Sequence, residues 1–124
     1  MPRHYFSEDF YELIYKLAND SIIVIEREKQ EIVVANPKTC EMYGYSESEL
    51  NGLPLSLLNA DSAGKFRFLM SKLAASKDGY SYQTKHRKKS GEVLDVEVNS
   101  RLFTNRNKEF LISIIRDITD KKQF

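Results

Sequence analysis

The chain has little of what most active sites and cofactor cages are built from. Its 124 residues contain one cysteine (Cys40), no tryptophan and two histidines (His4 and His86). A single thiol excludes an internal disulfide and a cysteine-rich zinc site. His4, His86 and Cys40 fall at no recognised ligand spacing, so no metal site is expected. There is no phosphate-cradling glycine loop, no His-Glu-x-x-His pair and no Gly-x-Ser-x-Gly elbow. No catalytic residue is therefore expected. No apolar run reaches the roughly 20 residues a bilayer demands, and the start of the chain has no signal-peptide core. Charge of one sign is also lacking. Nineteen Lys and Arg against eighteen Asp and Glu give a net +1, which argues against nucleic acid and against membrane contact. These absences read as a cytoplasmic, non-catalytic domain.

What is present suits one hydrophobic core: 41% apolar and 30% charged residues over a length typical of a single domain. Residues 1–20 read as an amphipathic helix. Ser7 can cap it, Glu8 and Asp9 complement its dipole, and Phe6 with Tyr11 can form a staple. Phe10, Leu13, Ile14 and Leu17 follow the i, i+3, i+4, i+7 rule and form one apolar stripe. That stripe must bury itself on its own sheet or on a second copy, which makes these four the candidates for a homodimer interface.

Residues 21–27 and 31–35 read as a β-hairpin. Asn36-Pro37 then reads as an N-cap with proline at the first helical position, and Gly44 as a stop. Ser46-Glu-Ser-Glu49 matches a capping box, with Tyr45 and Leu50 as its staple and Gly52 as the next stop. Leu53 to Leu58 is an apolar linker. Asp61 is expected to cap a longer helix reaching about Ser76, with Phe66, Leu69, Met70 and Leu73 on one face and Gly79 closing it. From Tyr80 the period changes to two. Tyr82, Thr84 and His86 alternate with Gln83, Lys85 and Arg87. After a turn at residues 89–91, Leu94, Val96, Val98, Ser100 and Leu102 alternate with polar residues, and a polar loop over 104–108 leads onward. The last run, Phe110 to Arg116, holds five large apolar residues on both of its faces and reads as a buried central strand. The class is α+β: an antiparallel sheet with helices on one face and the N-terminal helix covering the other.

Four stretches carry a resemblance: Asn36-Pro37, the run from Tyr43 to Gly52, Arg87-Lys-Lys-Ser-Gly91, and Arg116-Asp-Ile-Thr-Asp-Lys-Lys122. Together, over roughly residues 21–122, the chain resembles a PAS domain with its PAC motif. The resemblance implies a five-stranded sheet in the order 2-1-5-4-3 with short helices on one face. It also implies a sensory-box module that binds a small ligand or a partner and relays a change to an output domain. The chain then divides into a helix over 1–20, the domain over 21–120, and over 121–124 the start of a linker within a longer signalling protein. The implied output is a diguanylate cyclase (GGDEF) ahead of the histidine kinase of a two-component system. The alternative is a ligand-free dimerisation or docking module.

The same resemblance implies a salt bridge between Glu49 and Lys89, and a signal exit at Asp117 and Thr119. It also speaks against two cofactors. The photosensory relatives carry an adduct-forming cysteine where Gly52-Leu-Pro-Leu55 places Leu55, and their final-strand glutamine is missing here. Haem-binding relatives use a histidine on the long helix, and residues 61–76 have none. The cofactor stays unknown. Met70, Tyr82, Thr84, His86, Ser100 and Ser113 are the candidates to line a ligand cavity. An unpaired buried hydroxyl costs about 1–3 kcal/mol, so inward-facing ones need a ligand, a water or each other. His86 reads either as a solvated strand end or as a cavity donor or pH switch. Cys40 reads as a small buried hydrophobe.

Overall fold

The computed structural model describes Tyr15 and residues 18–122. The stripe of Phe10, Leu13, Ile14 and Leu17 lies outside the described residues. The elements are β1 (Ser21–Glu26), β2 (Glu31–Ala35), α1 (Pro37–Tyr43), α2 (Glu47–Leu50), a 3₁₀ turn (Leu55–Leu57), α3 (Ala63–Ala75), β3 (Tyr80–Arg87), β4 (Val93–Asn105), β5 (Lys108–Asp117) and α4 (Thr119–Lys122). The strands form one sheet in the order β2-β1-β5-β4-β3, every neighbour antiparallel. β5 pairs along both edges, as its apolar composition requires.

Local chemistry explains each start and stop. Asn36, fully buried, accepts hydrogen bonds through Oδ1 from Thr39 N (3.1 Å), Thr39 Oγ1 (2.7 Å) and Ile22 N (3.0 Å), so one cap ties α1 to β1. Gly44 ends α1 with a left-handed φ of 79°. The capping box of α2 is complete: Ser46 Oγ accepts from Glu49 N, and Glu49 Oε1 accepts from Ser46 N. Along β4, Leu94, Val96, Val98 and Ser100 are buried and face the helices. Parity does not decide the face of β3 from sequence. The structure turns Thr84 and His86 inward, with Tyr80 and Tyr82 packed on the core.

Four expectations need correction. The N-cap of α3 is Ser62, whose Oγ accepts from Lys65 N (3.1 Å), because Asp61 is turned away toward β3. Gly79 does not close α3, which ends at Ala75 with Ser76 at the cap. The polar loop at 104–108 is a tight hairpin: β4 runs to Asn105, β5 starts at Lys108, and only Arg106 and Asn107 turn, at φ 51° and 65°. Positive φ at both central residues is the geometry whose twist matches paired strands. Finally, the two faces of β5 are not equally covered. Leu111, Ser113 and Ile115 are buried, Phe110 and Ile112 are half-buried, and Ile114 is 42% exposed.

Gly79 has a different task. Its φ is +98°, and a Cβ there would sit 2.9 Å from the Ser100 carbonyl oxygen of the neighbouring strand. Gly91 has a similar φ of +96° with open space around it. Gly91→Ala should cost about 1–2 kcal/mol of unfolding free energy in urea titrations, from the left-handed backbone alone. Gly79→Ala should cost more, because β4 must also shift. Equal losses in the two variants would show that the close approach to Ser100 is not constraining.

Candidate functional site

α3 lies over the inner face of the sheet, and a cavity of about 20 Å³ remains between them. Met70, Tyr82, Thr84, His86, Ser100 and Ser113 all line it, together with Asn59 and Leu55. The sheet places the polar residues. Ser100 and Ser113 are register partners on β4 and β5, so their hydroxyls meet at 2.5 Å. Thr84 and His86 descend β3 at period two. Opposite them, Phe66, Leu69, Met70 and Leu73 form an apolar wall, with Leu69 and Leu73 fully inward and Phe66 and Met70 half-buried. The volume suits about one water molecule.

The inward polar groups find partners among themselves and at helix ends. His86 Nδ1 is 2.6 Å from the Tyr43 hydroxyl at the end of α1, with the rings tilted 40°. Thr84 Oγ1 donates to Asp61 Oδ2 (2.8 Å). Burial pushes the Tyr82 phenol up to about 12, opposed by the Ser100 hydroxyl beside it. His86 is thus a buried hydrogen-bonding residue rather than a solvated strand end. Burial holds its imidazole down at about 4, opposed by the Asp61 carboxylate. Leu55, at the position of the photosensory cysteine, lines the cavity, and Cys40 does not. Cys40 is half-buried against the core, and its thiol is pushed up by burial and by Glu47.

Two residues escaped sequence reading: Tyr43 and Asp61. Tyr43 ends α1 as an ordinary apolar position, and nothing in its spacing announces His86. Asp61 next to Ser62 offers two plausible caps, and only the tertiary contact decides between them. Its carboxylate accepts from Thr84 Oγ1 (2.8 Å) and Lys85 N (3.2 Å), and pairs with Lys65 Nζ (3.0 Å). Burial pushes the Asp61 carboxyl up, and the bonds from Thr84, Lys65 and Lys85 outweigh it, leaving the group below its ordinary value. The backbone follows: Ala60 N donates to Lys85 O (2.9 Å) and Arg87 N to Leu58 O (2.7 Å). Residues 58–61 thereby run as a strap along the outer edge of β3, at the mouth of the cavity.

A second cluster lies where β5 ends. Asp117 Oδ1 accepts from Thr119 N (2.9 Å) and Thr119 Oγ1 (2.6 Å). Thr119 Oγ1 in turn accepts from Asp95 N (3.0 Å), and Ile118 N donates to Asp95 O (2.9 Å). Asp95 Oδ1 is paired with Lys85 Nζ (2.8 Å), on the strand that carries the strap. A separate bridge joins Lys89 Nζ to Glu49 Oε2 (2.6 Å), and Lys89 N donates to Tyr43 O (2.9 Å), so α1 and α2 are both tied to the β3–β4 turn. The Lys89 bond, helped by Ser46 N, holds the Glu49 carboxyl at about 2. Among the described residues no group of three His, Cys, Asp or Glu is placed to hold a metal, and no helix is long and apolar enough to cross a membrane.

Acid should therefore destabilise the fold in two steps. Between about 6.5 and about 4 the unfolded chain protonates His86 and the folded chain does not. Stability falls through that window at up to about 1.4 kcal/mol per pH unit. Asp61, depressed in the folded state, contributes stability above its unfolded value that is lost as pH falls through its folded value. His86→Gln should flatten the first window and Asp61→Asn the second, measured as unfolding free energy against pH. An unchanged slope in both variants would place the acid sensitivity elsewhere.

A family model described as PAS domain matches residues 19–120. Among solved structures, the chain is similar to a PAS domain from a two-component sensor histidine kinase, with a TM-score of 0.76 and 19% identity over 94% of this chain and 99% of that one. It is similar to the PAS domain of an HTR-like protein from Haloarcula marismortui, with a TM-score of 0.78 and 21% identity over 94% of this chain and 96% of that one. It is also similar to an RNA-binding light-oxygen-voltage receptor, with a TM-score of 0.80 and 19% identity over 93% of this chain and 34% of that one. At these identities the likeness is one of fold. No curated protein matches the chain.

Proposed function

Since the chain belongs to the PAS domain family, we propose that it is a non-catalytic sensory module that converts an event at its interior or surface into a changed exit from β5. The observation that carries this reading is the lock at residues 117–119. Asp117, Thr119 and the backbone of Asp95 fix the direction in which the chain leaves the sheet. Residues 21–120 act as the sensing unit, and 121–124 begin the connection to an output domain, a diguanylate cyclase or a histidine kinase. The setting is cytoplasmic. A ligand shifts such a lock only if it binds two arrangements with different affinity.

A second reading is a docking module that binds no small molecule. Two observations favour it. The cavity holds about one water, and its polar walls are already paired. On the far face of the sheet, Val34, Phe103 and Ile114 are each more than a third exposed, beside half-buried Ile22, Val24, Phe110 and Ile112. In this reading that face and the stripe of Phe10, Leu13, Ile14 and Leu17 meet across a two-fold axis in a homodimer.

Asp117→Ala tests the lock. Loss of charge-assisted bonds worth about 1.5–3 kcal/mol should speed hydrogen exchange at Thr119 at least about tenfold and lower the global unfolding free energy by no more than that amount, the domain staying folded. Unchanged exchange at that amide would sink the role. Native mass spectrometry separates the two readings. A mass excess lost on denaturation supports the sensor, and a bare dimer mass supports the docking module.

A further inference from the structure

We propose that the site between α3 and the sheet receives a small uncharged molecule with one hydrogen-bonding edge and one apolar side. The inference rests on the sensor reading above and adds the chemistry of the ligand. It starts from the lining. Among the sixteen described residues that line the cavity there is no Asp, Glu, Lys or Arg. A carboxylate, phosphate or ammonium held within that lining would give up its hydration and meet no counter-charge, and Arg27, which lines the adjoining space beyond Met70, is paired with Glu109. The Asp61 carboxylate, which is not part of the lining, is occupied by Thr84, Lys85 and Lys65. His86 offers no charge either, because burial keeps it neutral above about pH 4.

The two walls differ in kind. The sheet sets hydroxyls and an imidazole from Tyr82, Thr84, His86, Ser100 and Ser113 among the aliphatic side chains of its central strands, whereas α3 presents only hydrocarbon, thioether and phenyl groups. These groups are already paired, so a wholly apolar guest would only leave their spare acceptor positions unused. A wholly polar one would face Phe66, Leu69, Met70 and Leu73 with no partner. Only a two-sided molecule satisfies both walls. Each paired hydroxyl keeps acceptor capacity for a guest donor.

Room for the guest must come from α3, since the closed cavity admits about one water. The helix supplies a route. Leu69 and Leu73 are its fully buried anchors, while Phe66 and Met70 are half-buried, and an unbranched methionine re-packs readily. Its leading end is strapped to β3 through Asp61, so displacement falls on the Met70 side.

Phenol, toluene and benzoate are matched in size and differ in the two properties that matter. With the chain as it stands and with Met70→Ala, each probe is titrated at pH 7 while the backbone amide resonances of Tyr82, Ser100 and Ser113 are followed. Phenol should shift these resonances in saturable fashion, more tightly in Met70→Ala. Toluene should bind at least about tenfold more weakly, because only phenol can donate to the spare acceptor position of a wall hydroxyl. Benzoate should shift none of them. Benzoate binding as tightly as phenol would overturn the assigned ligand class and leave the interior sensor standing. Toluene matching phenol would overturn the two-sided requirement. No saturable shift by any probe in either form of the chain would overturn both the class and the interior site.

Discussion

β5 is paired on both sides from Phe110 to Ile115, to β1 through Ser21↔Ile115 and Ile25↔Leu111, and to β4 through Val98↔Ile115 and Leu102↔Leu111. That double pairing sets the parity of the sheet. With Leu111, Ser113 and Ile115 facing the helices, antiparallel register carries Ile23, Ile25, Val98 and Ser100 to the same side. A slip of one residue in either ladder would send the paired strand's apolar set outward. The register also decides the chemistry of the interior, because it alone sets Ser100 opposite Ser113, and β4 then fixes the level at which Thr84 and His86 stand on β3.

The interior built on that parity is polar at its sheet side, yet it has no unmet polar demand of the size that would break a core. Tyr43 meets His86, Ser100 meets Ser113, and Thr84 meets Asp61. Each pair offsets a desolvation of about 1–3 kcal/mol for groups that could otherwise have been leucine or valine. Apolar residues would have filled the same space with less demand on geometry. Retaining hydroxyls and an imidazole there keeps a hydrogen-bonding surface beneath α3 at little net loss of stability. The helix above is held to the sheet mainly by Leu69 and Leu73, its most buried residues.

Much of this was legible in the sequence, and the failures have a common cause. Short-range chemistry read true: the Asn36-Pro37 cap, the Ser46–Glu49 capping box and the alternation of Leu94, Val96 and Val98 need only local rules. The doubly apolar runs at Ile22 and Phe110 identified the central strands, and the strand order followed from resemblance. Misreadings arose where two local options were equally good and a distant residue chose. Asp61 and Ser62 can both cap a helix, and Thr84 with Lys85 settles which one does. Gly79 looks like a helix stop, whereas the Ser100 carbonyl explains the glycine. Arg106-Asn107 lacks the glycine that marks a two-residue hairpin, so the tight turn was read as a loop. His86 sits beside Arg87 and Lys88 in sequence and beside Tyr43 in space. No periodicity reports a pair formed forty-three residues apart.

The same distant contacts join the interior to the exit. Asp61 holds Thr84 from the strap, and Thr84 faces the cavity. The next residue, Lys85, donates its backbone N–H to Asp61 and reaches Asp95 with its side chain. Asp95, through its backbone, holds Ile118 and Thr119. The paired strands β3 and β4 therefore carry both a wall of the cavity and the anchor for the end of β5. Close packing makes such a pair respond as a unit, since core side chains and ladders shift between discrete arrangements rather than deforming smoothly. Under the proposed reading, a guest that moved α3 on its Met70 side would leave the Asp61 end in place and load β3. In that reading Lys85 is placed to pass such strain on, because it bonds to both the strap and Asp95.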